Sequence, residues 1–319
     1  MKIDANRTTM AVGLTLLALV PLFSSLAGEP FYVDLFTRIL IFAIAALSLD
    51  LILGYGGMVS FGHAAYLGIG SYAVGILDHY GVDNGFLQFA LAIGASAAAA
   101  LFIGAVSLRT SGVYFIMITL AFSQMIYFLG VSLNTFGGDD GMNIARHSDF
   151  AGLIDLDNAN TLYYFVFAFL VLFLVLGYRV VNSRFGMAIR GAKSNERRMV
   201  AIGFPTYRYK LTAFVIAGAM CGVAGALLAN QSLFMSPAIM HWSRSGEIMV
   251  MVLLGGTGSL FGPVLGAVAL LALENVLSGW TEHWQAILGL ILVLVVMFAR
   301  QGLFGILRWR AAREARSHG

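Results

Sequence analysis

Long, uninterrupted apolar runs alternate along this chain with short polar or glycine-rich breaks. A window of about 19 residues finds ten such runs, near 10–27, 35–53, 62–78, 87–107, 113–131, 161–178, 210–230, 246–257, 263–278 and 284–299. The runs are continuously apolar rather than alternating, which predicts helices in lipid and excludes a porin-type barrel. Several fall short of the roughly 20 residues a perpendicular crossing requires. Glycine interrupts the third and eighth, at Gly54 to Gly62 and at Gly255 to Gly262. The pattern predicts an all-α polytopic membrane protein with about ten transmembrane helices, some of them glycine-broken. It forms a single transmembrane domain over residues 1–319.

Composition agrees with this reading. Hydrophobic residues make up 59% of the chain and charged residues 11%, with a mean hydropathy of +0.85. A soluble domain of this size cannot cover its surface with so few charges. Thirty-seven glycines against five prolines suit close helix packing in lipid. The single cysteine, Cys221, excludes an intrachain disulfide and a cysteine-based metal site. No basic groove is interleaved with aromatics, so nucleic acid is not an expected partner. Residues 1–28 imitate a secretory leader, with Lys2 and Arg7 before an apolar core and Ser25 and Ala27 before Gly28. The core is long enough to be a retained first span, which is the preferred reading.

The charge map sets orientation. Lys2 and Arg7 lie at the N-terminus. Arg179, Arg184, Arg190, Lys193, Arg197, Arg198, Arg208 and Lys210 fill the 179–210 loop, and Arg300, Arg308, Arg310, Arg313 and Arg316 the tail 300–319. The positive-inside rule makes all three regions cytoplasmic. The 132–160 loop carries Asp139, Asp140, Asp149, Asp155 and Asp157 against Arg146 alone, which suits the outside. Ten spans with both termini inside put every region on its expected side; eight also keep the termini together, and ten is the preferred count.

The stretch from Gly54 to His63 (GYGGMVSFGH) is echoed about 200 residues later by Gly255 to Pro263 (GGTGSLFGP). Paired glycine interruptions in corresponding halves are the usual pointer to a translocation pathway. They make Gly56, Gly57, Ser60, Phe61, Gly62 and His63 pathway-lining candidates, with Gly255, Gly256 and Ser259 in the second copy. The same glycines equally suit helix crossings or tight turns. His63 reads more readily as a hydrogen-bonded structural group than as a proton relay. The other histidines have no metal-ligand spacing. Asp50, Glu247 and Glu274 lie within or beside spans, where a charge costs about 2.5–3.5 kcal/mol at the bilayer centre. Asp50 and Glu274 either pair, with Arg109 or a partner subunit, or reach water at helix ends.

Gly186 to Ser194 (GMAIRGAKS) nearly spells a phosphate-binding loop. Ala192 intrudes between the second glycine and Lys193, and a transmembrane run rather than a buried strand precedes it. Only Lys2 and Lys210 remain as other lysines, so the chain carries no such ATPase motif. Read as helix, Phe185, Ala188, Ile189 and Ala192 form one apolar face. Ser194 or Asn195 caps a second short helix from Glu196, and Gly203 with Pro205 ends it. The prediction is a pair of cytoplasmic helices at about 185–203. Anionic membrane lipid is one expected partner for this basic surface.

These residues carry a resemblance. The basic segment, continuing through Lys210 to Phe214 (KLTAF) and Gly222 to Leu227 (GVAGAL), is similar to the branched-chain amino acid ABC transporter permeases of the LivM/LivH type, and closer to LivM. Gly54 to Tyr72, Gly112 to Gln124, Gly137 to Asn143 (GGDDGMN), Leu253 to Gly262 and Arg300 to Leu303 match as well, so the likeness covers roughly residues 40 to 305.

The resemblance implies a non-catalytic, multi-pass subunit of a bacterial inner membrane. Its implied partners are a second, LivH-like permease, two cytoplasmic ATPases holding ATP and Mg, and a periplasmic substrate-binding protein. No cofactor is implied for this chain. The implied coupling positions are Arg190, Glu196, Ala201 and Gly203. Here the family's Glu-x-Ala-Ala gives way to Glu196-Arg197-Arg198-Met199-Val200-Ala201. Loops 132–160 and 231–245 are expected to meet the binding protein, with Asp139, Asp140 and Gly141 as docking residues. The implied substrate is a branched-chain or related amino acid. Urea, amides and aromatic or other carboxylic acids are the alternatives within the class, and a gradient-driven carrier acting alone is the alternative outside it.

Overall fold

The computed structural model describes residues 2–281, 283–298, 302, 303 and 305, with the side chains of 2–8, 25–27 and 294–298 outside it. The arginines of the 300–319 tail therefore lie outside the described residues. Among these residues the chain is helical throughout its apolar runs. Helices α1 (Lys2–Ala18) and α2 (Val20–Ala27) precede α3 (Phe31–Leu53), α4 (His63–His79), α5 (Gly85–Ser107) and α6 (Val113–Ser132). Then come α7 (Ala159–Asn182), α8 (Arg184–Ser194), α9 (Glu196–Ala201), α10 (Thr206–Ser232), α11 (Trp242–Gly255), α12 (Gly262–Ser278) and α13 (Trp284–Phe298).

Each predicted run falls on a helix. The first is split in two, and Pro21 explains why. It lacks the N–H that would bond the Leu17 carbonyl, and the Tyr163 hydroxyl donates to that carbonyl instead. Among the described residues α3, α5, α6, α7 and α10 are long and apolar enough to cross a membrane, and Thr9–Ser24, Gly262–Ser278 and Trp284–Val293 are shorter apolar stretches. Phe102 is 64% exposed on α5 and Phe128 63% on α6. Water does not support so broad an apolar flank, whereas lipid does.

Helix α3 is the centre. Its 23 residues span about 34 Å, and Ile39 to Leu53 are buried without a gap among α7, α10, α11 and α12. Glycine sets the closest crossings. A Cβ at Gly70 would collide with the Gly222 carbonyl, and one at Gly225 with that of Leu67, so α4 and α10 meet backbone to backbone. Gly255, Gly262 and Gly266 do the same for α11 and α12.

The expected glycine breaks lie between helices, not inside them. Their route is still unusual. Gly62 lies against the Thr119 carbonyl, within α6, and the Ala64 amide donates to Ser245 Oγ at 2.9 Å. The 54–62 segment thus runs back into the bundle before α4 begins. The 231–245 connection, expected at the surface, does likewise from the opposite end. Met235 fills the space beside Gly75 and Met240 that beside Gly68, so the connection packs into the bundle just before α11, whose first residue, Trp242, is exposed. At 14 residues it is about 21 Å long, shorter than a hydrocarbon core of about 30 Å.

The 132–160 connection caps that opposite end. Its strand β1 (Met142–Asn143) pairs antiparallel with β2 (Phe234–Met235). The Ser148 amide donates to Asn230 Oδ1 at 2.8 Å, the Ala145 amide to Asp78 Oδ2 at 2.8 Å, and Phe150 packs edge-on against Phe86.

Candidate functional site

At the end where α3 finishes, the two glycine segments and the basic hairpin meet. Asp50, fully buried, accepts from the Gly258 amide through Oδ1 at 2.8 Å. Lys193 Nζ donates to the Gly54 carbonyl at 2.5 Å. Both glycine repeats are therefore tied to one locus, and one of them is tied directly to α8. Ser259 Oγ donates to the Gly256 carbonyl at 2.7 Å, and Gly302, at φ +66°, lies where a Cβ would collide with the Gly256 amide. Gly56 and Gly57 border a cavity of about 330 Å³ that also touches Arg109, Glu196 and Lys210.

Within the bundle the Phe61 amide donates to Thr119 Oγ1 at 3.3 Å and the Gly62 amide to Ser60 Oγ at 3.2 Å. His63 is buried, with Nε2 2.8 Å from Ser48 Oγ and its ring edge-on to Tyr66. It bonds across α3 and α4 through Nε2, while its buried Nδ1 has no partner among the described residues. The pairing of Asp50 with Arg109 does not form, because Asp50 faces Gly258. Glu274 lies near the end of α12, opposite the end that carries Arg109. Glu247 pairs with Arg244 at 2.7 Å.

The hairpin follows its sequence closely. Ser183 Oγ caps α8, and Asn195 Oδ1 caps α9 by accepting from the Arg198 amide. Gly186, Ala188, Ile189 and Ala192 form the buried face, while the Phe185 ring packs at a tilt against Tyr209. Gly203 turns at φ +90°. The named hairpin residues divide into two groups. Glu196 accepts from Lys210 at 2.7 Å and from Thr206 at 3.2 Å, and Arg190 donates to the Val181 carbonyl at 3.1 Å. Both brace the hairpin onto α10 and α7. Ala201 and Gly203 are exposed, beside exposed Val200 and Ile202 and the arginines 197 and 198.

At the other end Asp139 and Asp140 are exposed in a turn. Gly141, at φ +80°, is pressed against the Met235 carbonyl. A larger cavity, about 490 Å³, lies there too, between α3, α10 and the first turn of α11. Its charged residues Asp34, Arg38 and Arg244 did not stand out in the sequence. The available signal was Asp34 and Arg38 four apart at the head of an apolar run.

Lipid-facing flanks, irregular backbone buried at depth and a braced basic hairpin define a multi-pass membrane protein of permease type. The chain belongs to the family described as branched-chain amino acid transport system / permease component, which matches residues 31–297. It is 30% identical over 300 residues to the high-affinity branched-chain amino acid transport system permease protein LivM of Escherichia coli K12, covering 86% of this chain and 70% of that one. LivM of Salmonella typhimurium is 28% identical over 299 residues, with the same coverage. LivH of Escherichia coli K12 is 27% identical over 285 residues, covering 83% of this chain and 91% of that one. No solved structure matches the chain.

Proposed function

We propose that this chain is one membrane subunit of an ATP-driven importer in a bacterial inner membrane, moving branched-chain or related amino acids. It works beside a second, LivH-like permease. Two cytoplasmic ATPases bind ATP and Mg and turn it over, and a periplasmic protein delivers the substrate. Ten crossings put both termini and the α8–α9 hairpin in the cytoplasm and the 132–160 cap outside. The exposed Val200–Gly203 edge, flanked by Arg197 and Arg198, is the surface the ATPase grips.

The observation that carries this reading is the Lys193–Gly54 bond. A displacement of the hairpin pulls on the first glycine segment and, through Gly54 beside Asp50 and Gly258, on the second. Packed and hydrogen-bonded elements of this kind carry coupling between distant sites.

The test is reconstitution of the complete five-subunit system in vesicles. The double variant Glu196→Lys, Gly203→Pro sets an ammonium against Lys210 and denies the φ +90° turn. Uptake and its link to ATP hydrolysis are lost while membrane insertion persists. Unchanged uptake defeats the coupling assignment. Buried Asp50, with Oδ2 unbonded among the described residues, favours a second reading as a gradient-driven carrier. Uptake by the chain alone, without ATPases, would establish that one.

A further inference from the structure

The cavity of about 490 Å³ between α3, α10 and α11 carries opposite charges that the fold keeps apart. Asp34 and Arg38 are four residues apart on α3, with Cβ atoms about 5–6 Å from one another. That is the spacing and order at which an aspartate and an arginine pair on a helix, yet among the described residues these two form no salt bridge. Asp34 Oδ1 instead accepts from Gln231 Nε2 of α10 at 3.0 Å. The Arg38 guanidinium leans over the Phe42 ring, 5.9 Å from its centroid.

Arg38 is half-buried, about 10 Å along α3 from its start. A half-buried cation on an apolar helix of a membrane protein is by default a functional-site candidate. Arg244 borders the same cavity from the first turn of α11 but is already neutralised by Glu247 at 2.7 Å, and Leu67, Leu228 and Ile239 supply apolar wall.

We infer that this cavity binds a small zwitterion, its ammonium at Asp34, its carboxylate at Arg38, and an aliphatic side chain against Leu67, Leu228 and Ile239. The charges of an α-amino acid sit on either side of one carbon, so one molecule bridges both side chains and replaces the ion pair the helix leaves unmade. The inference rests on the reading of the chain as an amino-acid permease and gives that reading a docking point inside the membrane.

The test uses the complete transporter. Uptake of radiolabelled leucine is measured in vesicles for wild type, Arg38→Gln, Arg38→Lys and Asp34→Asn. Competitors are 3-methylbutylamine, which lacks the carboxylate, and 4-methylpentanoate, which lacks the amine. Arg38→Gln lowers uptake about tenfold or more, the loss expected when a charged partner is removed, while Arg38→Lys keeps most of it. Asp34→Asn ceases to prefer leucine over 4-methylpentanoate. Wild-type uptake with variants that match it overturns the cavity and leaves the importer reading standing. Wild type without ATP-driven uptake overturns the importer reading, and equilibrium binding of leucine to the solubilised complex, free of binding protein, then decides the cavity. Binding lost in Arg38→Gln and kept in Arg38→Lys supports it; no wild-type binding, or equal binding in wild type and Arg38→Gln, refutes it.

Discussion

Replacing Asp50 separates a structural carboxylate from a proton-carrying one. Its Oδ1 holds the Gly258 amide at 2.8 Å, and its Oδ2 has no partner among the described residues. The substitution Asp50→Asn keeps an accepting oxygen and the side-chain shape, so the importer reading expects near-normal stability and ATP-driven uptake. Asp50→Ala leaves the amide without an acceptor in a buried site, which costs about 1–3 kcal/mol. The small void adds a few tenths, on the order of 24 cal/mol per Å³. The glycine segments then separate, and uptake falls along with the midpoint of thermal unfolding. Both variants are purified within the full transporter and compared by scanning fluorimetry and vesicle uptake. A well-folded Asp50→Asn complex that transports nothing refutes this reasoning, because only the ability to ionise has been removed.

Lys193→Met removes the bond to the Gly54 carbonyl; the residue is exposed, so stability changes little, while the ratio of substrate moved to ATP hydrolysed falls. Gly225→Leu drives a side chain into the Leu67 carbonyl and costs about 1–3 kcal/mol or more, read as loss of monodisperse protein on size exclusion. Gly94→Ala, with open space around its Cβ position, serves as control and gains roughly 0.5–1 kcal/mol from helix propensity. Asp139→Lys with Asp140→Lys reverses the charge of the exposed turn. It weakens stimulation of ATP hydrolysis by loaded binding protein without changing basal hydrolysis; an unchanged stimulation removes the turn from the docking surface.

Local chemistry was legible in the sequence wherever it acts over a few residues. The cap at Asn195 and the left-handed Gly203 around α9, and the buried face Ala188, Ile189, Ala192 of α8, all follow from spacing within a few residues. The apolar runs marked the helices because lipid demands continuous hydrophobicity. What escaped was depth. Nothing in GYGGMVSFG says that the segment re-enters the bundle, because that depends on Thr119 and Ser245, 58 and 181 residues from their partners Phe61 and Ala64. The 231–245 connection reads as a surface loop for the same reason. The partners of Glu196 escaped too: it is exposed, and its carboxylate accepts from Thr206 and Lys210, ten and fourteen residues further on.

The two re-entrant segments have a consequence for permeability. Val59 borders the cavity open at the hairpin end, and Leu67 borders the cavity at the other. The chain between them is the last few residues of the glycine segment and the first turn of α4, whose helical part, His63 to Leu67, rises only about 6 Å. On the proposed importer reading, in which the two cavities are the two ends of one pathway, the chain segment that separates them is short against a hydrocarbon layer of about 30 Å. That reading expects a loosened first turn of α4 to show first as a leak of small solutes across vesicles that hold the complex.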